Sequence, residues 1–206
     1  MRKLKIGSVK KVMSLREKKV EKKKEEIRKS AMSVIAEKGY HATTMEDIAA
    51  KLLMTKGSVY YYFKDKESLV YESHKLLLEQ SMEQLQDVLA EELTSVAKLR
   101  KAMVVHMENV ITERTDFFIG VKPDQVFEGE HLQEILHLRN QYSDCMNRLI
   151  QQGMEDGSFV QVDMKIVNYI ILGAMNNAVI WYSPKGSKSI DELANSIADY
   201  LLKILL

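Results

Sequence analysis

Between Thr55 and Lys66 the chain reads Thr-Lys-Gly-Ser-Val-Tyr-Tyr-Tyr-Phe-Lys-Asp-Lys, and its polar side chains share one kind of chemistry. Lys56, Lys64 and Lys66 carry ammonium groups that pair with phosphate or donate to the acceptors of guanine. Ser58 and the phenols of Tyr60, Tyr61 and Tyr62 reach phosphates or base edges. Gly57 has no side chain, so a phosphate chain can approach the backbone at a helix start, where the dipole favours negative charge. Val59 and Phe63 lie four apart and face inward together. Successive helical residues point about 100° apart, so at most one or two of the three tyrosines share the core direction. Tyr60 or Tyr62 is the one expected at a partly buried rim.

The elements before this stretch must hold it outward. From Glu21 the pattern is helical, with Ile27, Ala31, Val34 and Ile35 on one face and Gly39 as the stop. Thr44-Met45-Glu46-Asp47 is a capping box that opens a short helix with Ile48, Ala49 and Leu52 inward and an end near Leu53. Thr55 caps a third short helix, Lys56 to Phe63. Three short helices, the last two joined by a tight turn, describe a helix-turn-helix head over residues 21–66. Residues 1–20 are basic and sparsely apolar, and read as a flexible extension or a frayed helix start. Their lysines serve either solubility or phosphate contact, and composition leaves both open.

The chain has 206 residues, 46% of them hydrophobic, with only 9 Gly and 2 Pro. Turn formers are too few for many short strands, so the fold class is all-α. The net charge of +1 is unevenly spread: residues 1–66 hold 18 Lys or Arg against 8 Asp or Glu, and the rest of the chain 12 against 21. One end suits a polyanion. The single cysteine, Cys145, and the absence of a signal-peptide pattern lead us to expect a cytoplasmic protein. No phosphate loop, nucleophile elbow or dinucleotide glycine pattern occurs, so no enzymatic activity and no cofactor is expected. His41, His74, His106, His131 and His137 include no i, i+4 pair for a metal, and each reads as a surface histidine or a satisfied core one.

Residues 67–206 form the expected body, beginning with a long fourth helix whose apolar positions include Leu69, Val70, Leu76, Leu77, Met82, Leu85 and Leu89. Helices follow at about 96–113, 124–153 and 163–182. The segment Ile166 to Trp181 is apolar almost all round but is broken by Asn168, Gly173, Asn176 and Asn177, which points to a helix buried on two sides rather than a membrane span. The last helix opens with the capping box Ser189 to Glu192 and carries an unbroken apolar stripe from Ile190 to Leu205. Two adjacent terminal helices with this much apolar surface are expected to pair across a two-fold axis in a homodimer.

Gly39-Tyr40-His41-Ala42-Thr43-Thr44-Met45-Glu46-Asp47-Ile48-Ala49, then Lys56 to Phe63 and Lys64-Asp65-Lys66-Glu67-Ser68-Leu69, resemble the DNA-binding head of the TetR family of bacterial transcriptional regulators. The resemblance spans roughly residues 25–72 without a gap. It implies that Thr44, Lys56, Gly57, Ser58, Tyr60, Tyr61, Tyr62 and Lys66, with Lys64 beside them, meet a double-stranded operator. One departure is Leu52-Leu53-Met54, where the family's turn usually reads Ala-Gly-Val. A leucine in the glycine position implies either a different turn or a costly backbone angle.

In the body, Gly153 to Phe159, Leu172 to Asn177, Trp181 to Gly186 and Glu192-Leu193-Ala194 resemble a TetR subgroup that controls the breakdown of fatty acids, sterols or aromatic acids and responds to acyl-CoA thioesters. Asn177 stands where that subgroup often has tryptophan. An acyl-CoA needs an apolar slot, for which Met103, Met107, Phe117, Phe118, Phe127 and Met175 are the candidates. It also needs cations, available from Arg100, Lys101, Arg114 and Arg139. The implied function is a homodimeric regulator, a repressor in the family's usual sense, released from a palindromic operator by a small effector such as an acyl-CoA. A ligand-independent architectural DNA-binding protein is the alternative.

Overall fold

The computed structural model describes residues 14–114 and 122–206. Most of the basic extension, and Phe117 and Phe118, lie outside the described residues. The described residues are helical, with no strand among them.

Helix α1 (Leu15–Lys38) begins earlier than the apolar stripe predicts, because Ser14 and Glu17 close a full capping box. The Glu17 amide donates to Ser14 Oγ at 3.2 Å and the Ser14 amide donates to Glu17 Oε2 at 2.7 Å. Gly39, at φ +83°, ends the helix. Helix α2 (Met45–Lys51) starts at the Thr44–Asp47 box as expected. Helix α3 (Lys56–Tyr60) is shorter than predicted. Its continuation tightens into a turn through Tyr62 N to Val59 O (3.0 Å), which still carries Phe63 into the core. Ile27, Ala31, Ile35, Ile48, Val59, Phe63, Leu69 and Val70 form that core, and Phe127 and Ile135 of the body complete it.

Helix α4 (Lys66–Ala90) runs about 37 Å at 1.5 Å per residue and belongs to both regions. Leu69 and Val70 lie in the head core, Leu85 and Val88 in the body core. Helix α5 (Ser95–Thr112) is the body's central post, packed on α4 and on the three helices that follow. A 3₁₀ turn (Pro123–Gln125) leads into α6 (Gly129–Glu155), then α7 (Met164–Trp181) and α8 (Ile190–Leu202). Gly153 does not stop α6. It lies inside the helix, where any Cβ would run into the Phe159 ring, while Gly157 at φ +77° makes the turn beyond.

Helix α7 differs from expectation in the single chain, being buried on one side. Val167, Ile171, Met175 and Ala178 enter the core, while Ile166, Tyr169, Ile170, Ile180 and Trp181 are exposed. No described helix is long and apolar enough to cross a membrane.

Candidate functional site

The outward face of the head is built from two capped helix starts. Thr44 Oγ accepts from the Asp47 amide at 3.2 Å and donates to the Asp47 carboxylate at 2.8 Å. Hydrogen bonds from Lys38 first and from Thr44 second hold that carboxyl down at about 2. Thr55 Oγ accepts from the Ser58 amide at 3.2 Å and lies 2.7 Å from Ser58 Oγ. These caps fix the start of α3, with Gly57 in its first turn. A Cβ at Gly57 would meet nothing within 4 Å, so the fold itself does not require glycine there.

Around this start the side chains divide by orientation. Tyr61 is 73% exposed and stands edge-on to Tyr62, their ring centroids 5.0 Å apart. Tyr60 is exposed under the Lys56 ammonium, which lies 5.5 Å from its ring centroid and pairs with Glu46 of α2. Lys64 is exposed. Tyr62 packs partly against the head core and is the rim aromatic. Lys66 departs from its expected role. Its ammonium donates to the carbonyls of Tyr40 (2.6 Å) and Thr43 (2.7 Å) and lies over the Tyr40 ring, so it braces the α1–α2 loop from inside. Its partial burial lowers its pKa.

Inside the body, a cavity of about 470 Å³ opens between α4, α5, α6 and α7. Each wall is one face of a helix: His74, Leu78 and Ser81 at i, i+4, i+7 from α4, Leu136, Arg139 and Ser143 at i, i+3, i+7 from α6, and Tyr169, Leu172, Asn176 and Ile180 from α7.

Two histidines line the cavity and differ in kind. His106 of α5 meets Tyr142 Oη at 3.0 Å through Nδ1 and Asn176 Oδ1 at 2.9 Å through Nε2. An amide oxygen only accepts, so Nε2 carries the proton and Nδ1 accepts from the phenol. Burial pushes its pKa down to about 4. His74, also held near 4 by burial and then by the charge of Arg139, has no hydrogen bond at either ring nitrogen among the described residues. Its ring stacks on Phe127, 5.9 Å away. Ser81 Oγ is buried without a partner as well. Arg139 is half-buried and makes no hydrogen bond or ion pair among the described residues, and burial lowers its pKa.

Of the described residues expected at the ligand site, only Arg139, a candidate cation, lines this cavity. Met103, Met107 and Met175 are wholly buried in the body core, where they fill space between α5 and its neighbours. Phe127 is wholly buried in the other core, against Tyr71 and His74. Arg114 turns its Nε to the Val179 carbonyl at 2.6 Å and lines a separate polar groove between α1 and α4. Sequence reasoning missed His74, Ser81, His106, Tyr142 and Asn176. Their signal was present as polar residues on the otherwise apolar inner faces of α4, α5, α6 and α7.

A helix-turn-helix head with an exposed capped recognition helix, on a helical body with an internal cavity, is the architecture of a DNA-binding transcription regulator. The chain belongs to the TetR family: residues 92–205 match its tetracyclin repressor-like C-terminal domain and residues 27–72 the bacterial regulatory proteins, tetR family. It is similar to the HTH-type transcriptional repressor KstR2 of Rhodococcus jostii, 26% identical over 84% of this chain and 85% of that one. The fatty acid metabolism regulator protein of Bacillus subtilis is 23% identical over 84% of this chain and 90% of its own. Among solved structures, PfmR of Thermus thermophilus superposes with a TM-score of 0.80 at 25% identity, covering 86% of this chain and 97% of its own. AibR, in complex with isovaleryl coenzyme A and operator DNA, shares the fold with a TM-score of 0.76 at 24% identity, covering 88% and 97%.

Proposed function

We propose that this chain is a homodimeric repressor released from a palindromic operator when an acyl-CoA thioester, or the acid it carries, occupies the cavity between α4, α6 and α7. The observation that carries the reading is the double membership of α4. Leu69 and Val70 anchor it in the head core, and one turn further on His74, Leu78 and Ser81 line the cavity. His74 is stacked on Phe127, itself part of the head core. A ligand that shifts α4 or His74 therefore moves the base of the head. A coupling of about 1–3 kcal/mol is typical of such linkage and suffices for a several-fold or larger loss of operator affinity. The names of the relatives, a fatty acid regulator and a structure holding isovaleryl coenzyme A, support the effector class.

On this reading Lys56, Ser58, Tyr60 and Tyr61 read or clamp the operator, with Gly57 admitting the phosphate chain and Thr44 and Lys64 at its flanks. The exposed apolar face of α7, extended by Tyr200 of α8, supports a partner copy. The test is operator selection from genomic fragments, followed by gel-shift titration with acyl-CoAs and free acids. Release of a specific duplex by one of them is expected. Binding that no ligand relieves would reduce the protein to a constitutive DNA-binding dimer, and binding with no preference over random competitor would remove the operator reading altogether.

A further inference from the structure

The two ends of the cavity are finished differently. On the α5 side, His106, Tyr142 and Asn176 satisfy one another, and that wall asks for nothing. On the α4 side, His74 is 1% exposed and Ser81 4%, and none of their three polar side-chain atoms has a hydrogen bond among the described residues. Buried polar atoms are nearly always paired, so orphans beside a cavity mark where something else supplies the partner. The neighbouring guanidinium of Arg139 faces the same space, and no Asp or Glu among the described residues lines it. A half-buried cation without a counter-ion favours an anionic guest, and the planar fork of arginine matches a carboxylate with two parallel hydrogen bonds. A single cation in the lining suits a single negative charge rather than a cluster of phosphates. Leu78, Leu136, Leu172 and Ile180 offer the apolar surface for a hydrocarbon body.

We infer that the effector presents a carboxylate to Arg139, with the His74 imidazole and the Ser81 hydroxyl donating to its oxygens, and lays its hydrocarbon part along the leucines. The inference rests on the effector reading above and specifies what the buried end of that effector carries. A carboxylate of this kind comes from one of two sources, a free organic acid or the far end of an ω-carboxyacyl thioester whose coenzyme part stays outside.

Four probes separate these possibilities with the full-length protein: octanoyl-CoA, suberoyl-CoA, octanoate and suberate. Binding is measured by calorimetry and operator release by gel shift, for the wild type and for Arg139→Gln, Arg139→Lys, Ser81→Ala and His74→Phe. If the thioester is the source, suberoyl-CoA binds at least tenfold tighter than octanoyl-CoA. If the free acid is the source, octanoate and suberate bind and the thioesters do not. In either case the carboxylate's advantage collapses in Arg139→Gln, returns in part in Arg139→Lys and weakens severalfold in Ser81→Ala. Circular-dichroism melting shows whether each variant is folded, and the half-buried Arg139 variants keep the comparison usable if His74→Phe is not. Equal binding of octanoyl-CoA and suberoyl-CoA, with release of the operator by both, overturns the carboxylate inference and leaves the effector reading standing. An advantage that survives Arg139→Gln overturns the site. Failure of all four probes to bind overturns the inference, and the effector reading is then judged separately by whether small molecules extracted from the purified protein release the operator.

Discussion

In the head, the apolar side chains Ile27, Ile48, Val59, Phe63 and Leu69 are enclosed, while Lys56, Tyr60 and Tyr61 stand in water. In the body, the enclosed set includes His74 and Ser81 without hydrogen bonds, while Ile166, Tyr169, Ile170 and Trp181 stand in water. A soluble domain acting alone follows the first arrangement, and the second leaves both its inside and its outside incomplete. The head is therefore a finished fold that offers a surface, whereas the body, on the function proposed above, takes a guest within and a partner copy without. The charge distribution runs the same way, basic at the head and acidic beyond it.

The strongest way to break this contrast is to charge the exposed apolar face. Ile170→Glu places a carboxylate in the middle of the α7 stripe and, across a two-fold axis, does so twice. An unpaired buried charge costs several kcal/mol. The variant is expected to run as a monomer in light scattering and to lose about a thousandfold in operator affinity, roughly 4 kcal/mol. A dimer of normal affinity would move the interface elsewhere.

Acid tests the inside of the body. His74 and His106 have pKa values near 4 in the folded chain, below the 6.5 expected unfolded. The unfolded chain thus takes up protons first as pH drops, so stability is intact above pH 6.5 and is lost between 6.5 and about 4. The loss is about 1.4 kcal/mol per pH unit for each histidine. Urea midpoints across that window check it. His74→Phe removes an orphaned polar group, so it is expected to halve the slope and to raise stability at neutral pH by about 1 kcal/mol or more. A steeper slope or a weaker fold would show that His74 is satisfied after all.

At the outer face, Lys56→Ala and Tyr61→Ala are each expected to weaken specific operator binding by roughly 10- to 100-fold, with unchanged melting because both side chains are exposed. Lys56→Ala also lowers the salt slope by about one if its ammonium leaves Glu46 for a phosphate. Unchanged gel shifts would take α3 out of the interface. Two glycines sharpen the same division. Gly153→Ala drives a methyl into the Phe159 ring and is expected to destabilise by about 1–3 kcal/mol in thermal unfolding. Gly57→Ala meets open space, so the fold is expected to gain up to ~1 kcal/mol while operator binding falls.

The head was legible because its signals are local. The Thr44–Asp47 box, the Thr55 cap and the Val59–Phe63 pair lie within a few residues, and each fixes geometry by backbone hydrogen bonding. The body's helices were legible for the same reason, as at Ser189–Glu192. The cavity was not, because it depends on how α4, α6 and α7 face one another across long sequence separations. Met103 and Phe127 have the right chemistry for a slot, but crossing geometry turns them into two different cores. Lys66 was misplaced by one detail: the α1–α2 loop leaves two carbonyls within reach of its ammonium, and pattern alone does not reveal them.

The turn between α2 and α3 offers the finest test, since there the sequence left two outcomes open and the structure selects one. Leu53 adopts φ +53° and is 96% exposed. It holds the left-handed conformation because the Met54 amide must reach the Ala49 carbonyl at 2.9 Å to bring α3 round onto the head core. Its side chain gains nothing from burial in exchange. A left-handed angle costs a non-glycine residue about 1–2 kcal/mol. Glycine removes that cost but enlarges the conformational freedom of the unfolded chain. Leu53→Gly is therefore expected to raise stability by about 1 kcal/mol or slightly less in urea unfolding, with the fold and the operator contacts of α3 unchanged. A loss of stability would mean that the added freedom of the unfolded chain outweighs the relief of the left-handed angle, so that the strain at this turn is smaller than its φ suggests.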